Sequence, residues 1–242
     1  FKAIPMIDHK PGYAAQALLI VSNFVEVYLA KRGHNGIVGV NYLEKLQTPH
    51  LCSLFGAILA GADLIIAGAG LPIRFPEVVK RLTSFEEATY DLVAVNGPSF
   101  PMKFDPGSVM SKAEFDSLNI GVPACLGIVS TAAVAHILDD RSNHRFDGWV
   151  VEGPKAGGHN APPRKSTELN ERGEPVYDME GRDNPGLDAI AKLGLPFWLA
   201  GEQCSPKALR KALELGANGV QIGTAFSLCR ESGHLTETKQ QS

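Results

Sequence analysis

Strand-like and helix-like stretches alternate along nearly the whole chain, and this alternation constrains its fold more than any other feature. Residues 14–31 carry a helical pattern punctuated at its end by Gly33 and Gly36, and "GIVGVNYL" (36–43) follows as a strand ending near Asn41. The small-residue helix "PHLCSLFGAILAGA" leads to the strand "DLIIAGAGLP", and Pro76 opens the short helix "PEVVKRLTSFEEA". After a break the pattern resumes with the strand "PACLGIVS", the helix "AAVAHILDD" and the strand "FDGWVVEG". The helix "DAIAKLG" and strand "LPFWLAG" come next, followed by the helix "SPKALRKALELG", with Ser205 as N-cap, Pro206 in its first turn and Gly216 beyond its end. "NGVQIGTAFSLC" reads as a strand that turns into a helix at Gly223-Thr224.

About six strand–helix units of this kind predict a parallel sheet with helical crossovers. Asn41, Gly68 to Gly70, Ser130, Glu152, Gly201 and Gly223 all fall at strand C-termini, the edge on which a βα barrel builds its active site. A doubly wound sheet would also use that edge, but neither a GxGxxG nor a Walker loop is present, which favours the barrel. The expectation is one βα-barrel domain over residues 1–242. It carries an inserted hairpin or excursion around 90–120, rich in proline, and a polar loop around 161–186, read as mostly solvated surface with a lid role as the alternative.

Composition removes several classes of function. A formal net charge of -3 over 242 residues gives no basic footprint for nucleic acid. Cys52, Cys125, Cys204 and Cys229 form no CxxC pair, and no two of the seven histidines have metal-ligand spacing, so neither a disulfide framework nor a metal site is expected. A reduced cytoplasm is the simplest location. The apolar stretch "AAQALLIVSNFVEVYLA" is interrupted by Gln16, Ser22, Asn23 and Glu26, and reads as an amphipathic buried helix, not a membrane span.

Two features carry the chemistry. In "VVEGPKAGGHNAPP" (150–163), Gly157 and Gly158 allow positive φ or a close approach by another molecule, and His159 stands directly behind them. A surface histidine after an ordinary turn is the alternative, and Lys155 in the same loop reads as solvated, with attraction of an anionic substrate as its alternative. The turns at Gly201 and at Gly223-Thr224 each join a strand to a helix, where backbone N–H groups and the helix dipole suit an anion such as phosphate; two plain capped turns are the alternative. His50, after Pro49 at a helix start, reads as a capping or packing residue.

With these motifs in view, "VVEGPKAGGH", "GVNYLEK", "LIIAGAGLP" and "GVQIGTAFSLC" resemble the nitronate monooxygenase (2-nitropropane dioxygenase-like) flavoproteins, in the right order over roughly residues 20–232. The resemblance implies a (β/α)8 TIM-type barrel binding FMN, with His159 as catalytic acid/base. It places Asn41, Glu152, Gly157 and Gly158 along the flavin, and Gly201 and the run Gln221 to Thr224, including Gly223, on the FMN phosphate and ribityl chain. The implied partners are a nitronate or nitroalkane substrate and dioxygen, with no nucleic acid and no membrane; a homo-oligomer is open. Two alternatives stand beside it: a flavin-dependent enoyl reductase using NAD(P)H, and a non-catalytic or degenerate barrel fragment. The chain departs from the family pattern twice. It opens at "FKAIPM", past the first one or two βα units and their Gly-Gly-Met strand end, which predicts association or poor solubility. It also has Glu202-Gln203-Cys204 where relatives continue with glycines, so a carboxylate would face the phosphate unless it points away.

Overall fold

The protein is described by a computed structural model covering residues 7–94, 96–158 and 160–241. The opening "FKAIPM" and the candidate base His159 lie outside the described residues, with Val95 and Ser242. The chain divides into two compact units, residues 1–126 with 138–146, and residues 127–137 with 147–242.

The first unit begins with helix α1 (Tyr13–Ala30), followed by β1 (Gly39–Leu43), α2 (His50–Leu59), β2 (Leu64–Gly68) and α3 (Phe75–Thr83). Strands β1 and β2 pair in parallel, Gly39 opposite Leu64 through Leu43 opposite Gly68. Helix α2 is apolar all round and is buried from His50 to Ile58, as such a helix must be. The hairpin of β3 (Ala88–Val93) and β4 (Ser99–Phe104) is antiparallel and forms a separate two-stranded sheet. It is followed by a 3-10 turn at Pro106–Ser108 and by α4 (Lys112–Ser117), whose Ser111 and Glu114 form a reciprocal capping box.

Helix α1 departs from the expected buried helix. Only Ile20 and Val27 are buried, whereas Tyr13, Val21, Tyr28 and Leu29 are all more than half exposed. The contact with α2 is close but narrow: a Cβ on Gly56 would stand 2.2 Å from the Ile20 carbonyl oxygen, so the two backbones approach along one stripe. Leu18, Val21, Val25, Tyr28 and Leu29 remain exposed, while Leu19 and Phe24 are partly covered. With 18 residues and a mean hydropathy of 1.4, α1 is the one helix among the described residues long and apolar enough to cross a membrane.

The chain passes between the units in β5 (Ala124–Val129), again in α5 (Ala132–Arg141), and a third time between Phe146 and Asp147. The second unit then contains β6 (Gly148–Glu152), α6 (Leu187–Ala191), β7 (Phe197–Ala200), α7 (Pro206–Glu214), β8 (Gly219–Gln221), α8 (Thr224–Ser227) and α9 (Thr236–Gln241). Within the first unit the strand order is β1-β2-β5, and within the second β5-β6-β7-β8. Strand β6 is buried from Gly148 to Val151, the pattern of a parallel strand covered on both faces. Trp149, Ile190 and Phe197 anchor the core of this unit.

Apart from one bridge between Leu169 and Pro175, residues 161–186 lack regular secondary structure, yet they are tied down. The buried Asp183 carboxylate accepts from the backbone N–H of Arg164 and of Asp178, each at 2.8 Å. The Tyr177 hydroxyl donates to the Ala161 carbonyl at 2.8 Å, and the Ala132 N–H donates to the Pro185 carbonyl at 2.7 Å.

Candidate functional site

The register of the second unit aligns its strand ends. Glu152 is opposite Ala200, and Ala200 is opposite Gln221, so one row across β6, β7 and β8 closes the sheet at its C-terminal edge. The three loops that follow surround a cavity of about 440 Å³. Small-molecule and cofactor sites commonly occupy a few hundred to a thousand Å³.

Of the residues singled out in the sequence, Glu152, Gly157, Gly201, Gln221, Gly223 and Thr224 line this cavity. Gly158, in the left-handed region at φ +82°, is not among its lining residues. Asn41 belongs to the first unit and is the third of the five residues of β1, paired with Ile66, so it does not stand at the strand's end. Lys155, read as solvated, and the run Glu202-Gln203-Cys204, expected beside the phosphate, also line the cavity.

The loop after β6 is fastened to β7. The Gly153 N–H donates to the Ala200 carbonyl at 3.1 Å, and a Cβ on Gly201 would lie 3.0 Å from the Ala156 nitrogen. The Gln203 side-chain amide donates to the Gly201 carbonyl at 2.7 Å, closing the turn on itself. Lys155, expected to be solvated, pairs its ammonium with the Glu202 carboxylate at 2.9 Å. The carboxylate expected to repel an anion is thus turned onto a cation. Glu202 itself has φ +52°, a conformation that favours glycine and costs a side-chain-bearing residue roughly 1–2 kcal/mol.

The two turns expected to present helix N-termini differ. At α7, Pro206 has no N–H, and the Ala208 N–H is taken by the Ser205 hydroxyl at 3.1 Å. Part of that helix end is therefore satisfied internally, and the stretch of this turn that lines the cavity is Gly201 to Cys204. At the other turn, a Cβ on Gly223 would meet nothing within 4 Å; it borders open cavity. Burial holds the Glu152 carboxyl above its ordinary range. Glu152 also lines a second cavity of about 20 Å³ with Ser130, Thr131 and Asn160, room for about one water.

His50 is fully packed in the first unit. Its ring lies against Tyr42, Phe75 and Tyr90, and Nε2–H donates to the Leu43 carbonyl at 3.0 Å. That is the packing role expected from the sequence.

Comparison with known proteins places the chain. Residues 101–242 match the nitronate monooxygenase family. The chain belongs to that family. It is 33% identical over 107 residues to the "Probable nitronate monooxygenase" of Bacillus subtilis (strain 168), covering 44% of this chain and 28% of that protein. It is 39% identical over 92 residues to the nitronate monooxygenase of Pseudomonas aeruginosa, covering 36% of this chain and 22% of that protein. The matched stretch thus spans about a quarter of the length of each relative. Among solved structures, a FabK mutant from Thermotoga maritima superposes with a TM-score of 0.57 at 15% identity, over 93% of this chain and 62% of that one. At that identity the match shows the fold: the parallel strands and crossover helices are those of an incomplete (β/α)8 barrel. Membership of the family implies a flavin cofactor.

Proposed function

We propose that the protein is an FMN-dependent oxidoreductase of the nitronate monooxygenase type, oxidising nitroalkanes or their nitronates with dioxygen. The observation that carries this proposal is the cavity of about 440 Å³ at the ends of β6, β7 and β8, formed within the portion that matches the family. Its size suits a flavin mononucleotide. The bare Gly223 wall leaves open the space that a side chain would fill, so the residues present fit such a ligand.

In this proposal the turns at Gly201 and at Gly223-Thr224 hold the phosphate and ribityl chain, with Gln221 between them. Glu152, Gly157 and Gly158 flank the ring. Bound FMN would supply the electron transfer that no side chain here can perform. His159 takes the proton from the carbon bearing the nitro group, a task suited to a side chain that titrates near neutral pH. We place the protein in the cytoplasm.

The test compares wild type with His159→Asn on a neutral nitroalkane and on its pre-ionised nitronate. General-base help is worth about 10²–10⁴-fold, so turnover of the nitroalkane should fall by that order while the nitronate is far less affected. Flavin content should stay unchanged. Equal loss on both substrates would remove His159 from the base role. Bleaching of the bound flavin by NAD(P)H without oxygen would favour a reductase instead.

A further inference from the structure

Among the described residues that line the cavity at the ends of β6, β7 and β8, Lys155 and Glu202 form an ion pair that joins two of its walls. Lys155 comes from the loop after β6 and Glu202 from the loop after β7, 47 residues away in sequence. Both loops are fixed at their bases by the Gly153–Ala200 hydrogen bond and by the contact of Gly201 with Ala156. The two side chains are about two-thirds exposed, so their charged ends remain free to exchange partners. Glu202 keeps its place despite a left-handed backbone that glycine would occupy without strain.

Among the described residues that line the cavity, the ionisable side chains of opposite sign are Lys155 on one side and Glu202 and the half-buried Glu152 on the other. An entering phosphate therefore meets no surplus of positive charge while the pair is closed. A phosphate monoester carries nearly two negative charges and three acceptor oxygens, so it is a stronger partner for an ammonium than one exposed carboxylate. The carboxylate contact with Lys155 is weak and screened, as exposed pairs are.

We propose that Lys155 reads the terminal phosphate of the cavity's ligand, and that Glu202 masks it until the phosphate arrives. The ammonium swings from the Glu202 carboxylate to the phosphate, and Glu202 is released to solvent. Glu202 thereby sets how strongly the cavity discriminates phosphorylated from unphosphorylated ligands. This proposal rests on the flavin reading above and goes beyond it by naming the residues that separate FMN from riboflavin.

The experiment titrates FMN and riboflavin into the flavin-free protein, following quenching of flavin fluorescence. Wild type, Lys155→Met and Glu202→Gln are compared, with a thermal melt to confirm that each variant is folded. Lys155→Met should weaken FMN about tenfold and leave riboflavin unchanged, the order expected for loss of one charge-assisted contact. Glu202→Gln should tighten FMN severalfold, again without moving riboflavin. Changes of equal size for both ligands, or no change in either variant, would overturn the proposal while leaving the flavin reading in place. A folded wild type that binds neither flavin would overturn the flavin reading and this proposal with it.

Discussion

A Cβ on Gly157 would stand 2.6 Å from the Thr224 hydroxyl oxygen. The loop after β6 therefore lies directly on the first turn of α8, and the missing side chain at Gly157 already has a use within the protein. In the sequence the two adjacent glycines suggested close approach by a ligand; at Gly157 the close neighbour is a threonine of the same unit. Gly157→Ala should cost about 1–2 kcal/mol, since Thr224 must turn its hydroxyl away or the loop must lift. Adding Thr224→Ala should recover most of that loss. Chemical denaturation of the two single variants and the double variant measures it, and strictly additive effects would disprove the contact.

Gly223 presents the opposite case. A Cβ there meets nothing within 4 Å, and the residue faces the cavity. Gly223→Leu should therefore leave the denaturation midpoint nearly unchanged while abolishing flavin binding. Flavin content per chain after purification, read from the absorbance spectrum, decides it. Full occupancy in the variant would move the ligand away from this turn.

The ends of β6 and β7 were legible in the sequence because a parallel strand needs a short apolar run and its following turn needs glycine or a capping residue, whereas β1 runs two residues past Asn41. "FDGWVVEG" and "LPFWLAG" contain β6 and β7, and Ser205-Pro206 marks the start of α7. Helix α4 is not legible inside the excursion, although "SKAE" spells its capping box, because its single turn and a half carries no readable apolar period. The exposure of α1 was not legible, since apolar residues on several faces look alike whether or not a neighbour covers them. Nor was the Lys155–Glu202 pair: no local spacing links residues 47 apart, and only the parallel register of β6 and β7 brings their loops together.

Asp183 should govern the order of residues 161–186. Its carboxylate accepts two backbone N–H groups from either side of the segment, and the Arg164 N–H is the main reason its pKa lies below the ordinary range. Asp183→Ala leaves both donors without an acceptor. Limited proteolysis should then cut within 161–186 far faster than in wild type, while the melting temperature of the remainder changes little. Unchanged cleavage rates would mean the segment is held by other contacts.

The last prediction concerns a half-buried carboxyl and a buried imidazole of opposite sense in the first unit. Burial raises the Glu44 carboxyl to about 7, despite the hydroxyl of Tyr90 donating to its Oε2. Burial lowers His50 to about 4, despite its bond to the Leu43 carbonyl. The folded state therefore holds a proton on Glu44 that the unfolded chain releases above its ordinary value near 4.5, so this residue's contribution to stability falls as pH rises toward 7. His50 behaves in reverse: the unfolded chain takes up a proton below about 6.5 that the folded state refuses until about 4, so stability falls as pH drops through that window. Between about 4.5 and 6.5 the two slopes oppose each other and largely cancel. Glu44→Gln removes one of them. Its melting temperature relative to wild type should climb by a few degrees between pH 5 and pH 8, because glutamine never pays the cost of ionising in that environment. His50→Phe should show the converse, gaining on wild type as the pH is lowered from 6.5 to 4. Melting curves of the three proteins across this range measure both differences, and a Glu44→Gln difference independent of pH would show that the carboxyl ionises as freely in the folded protein as in water.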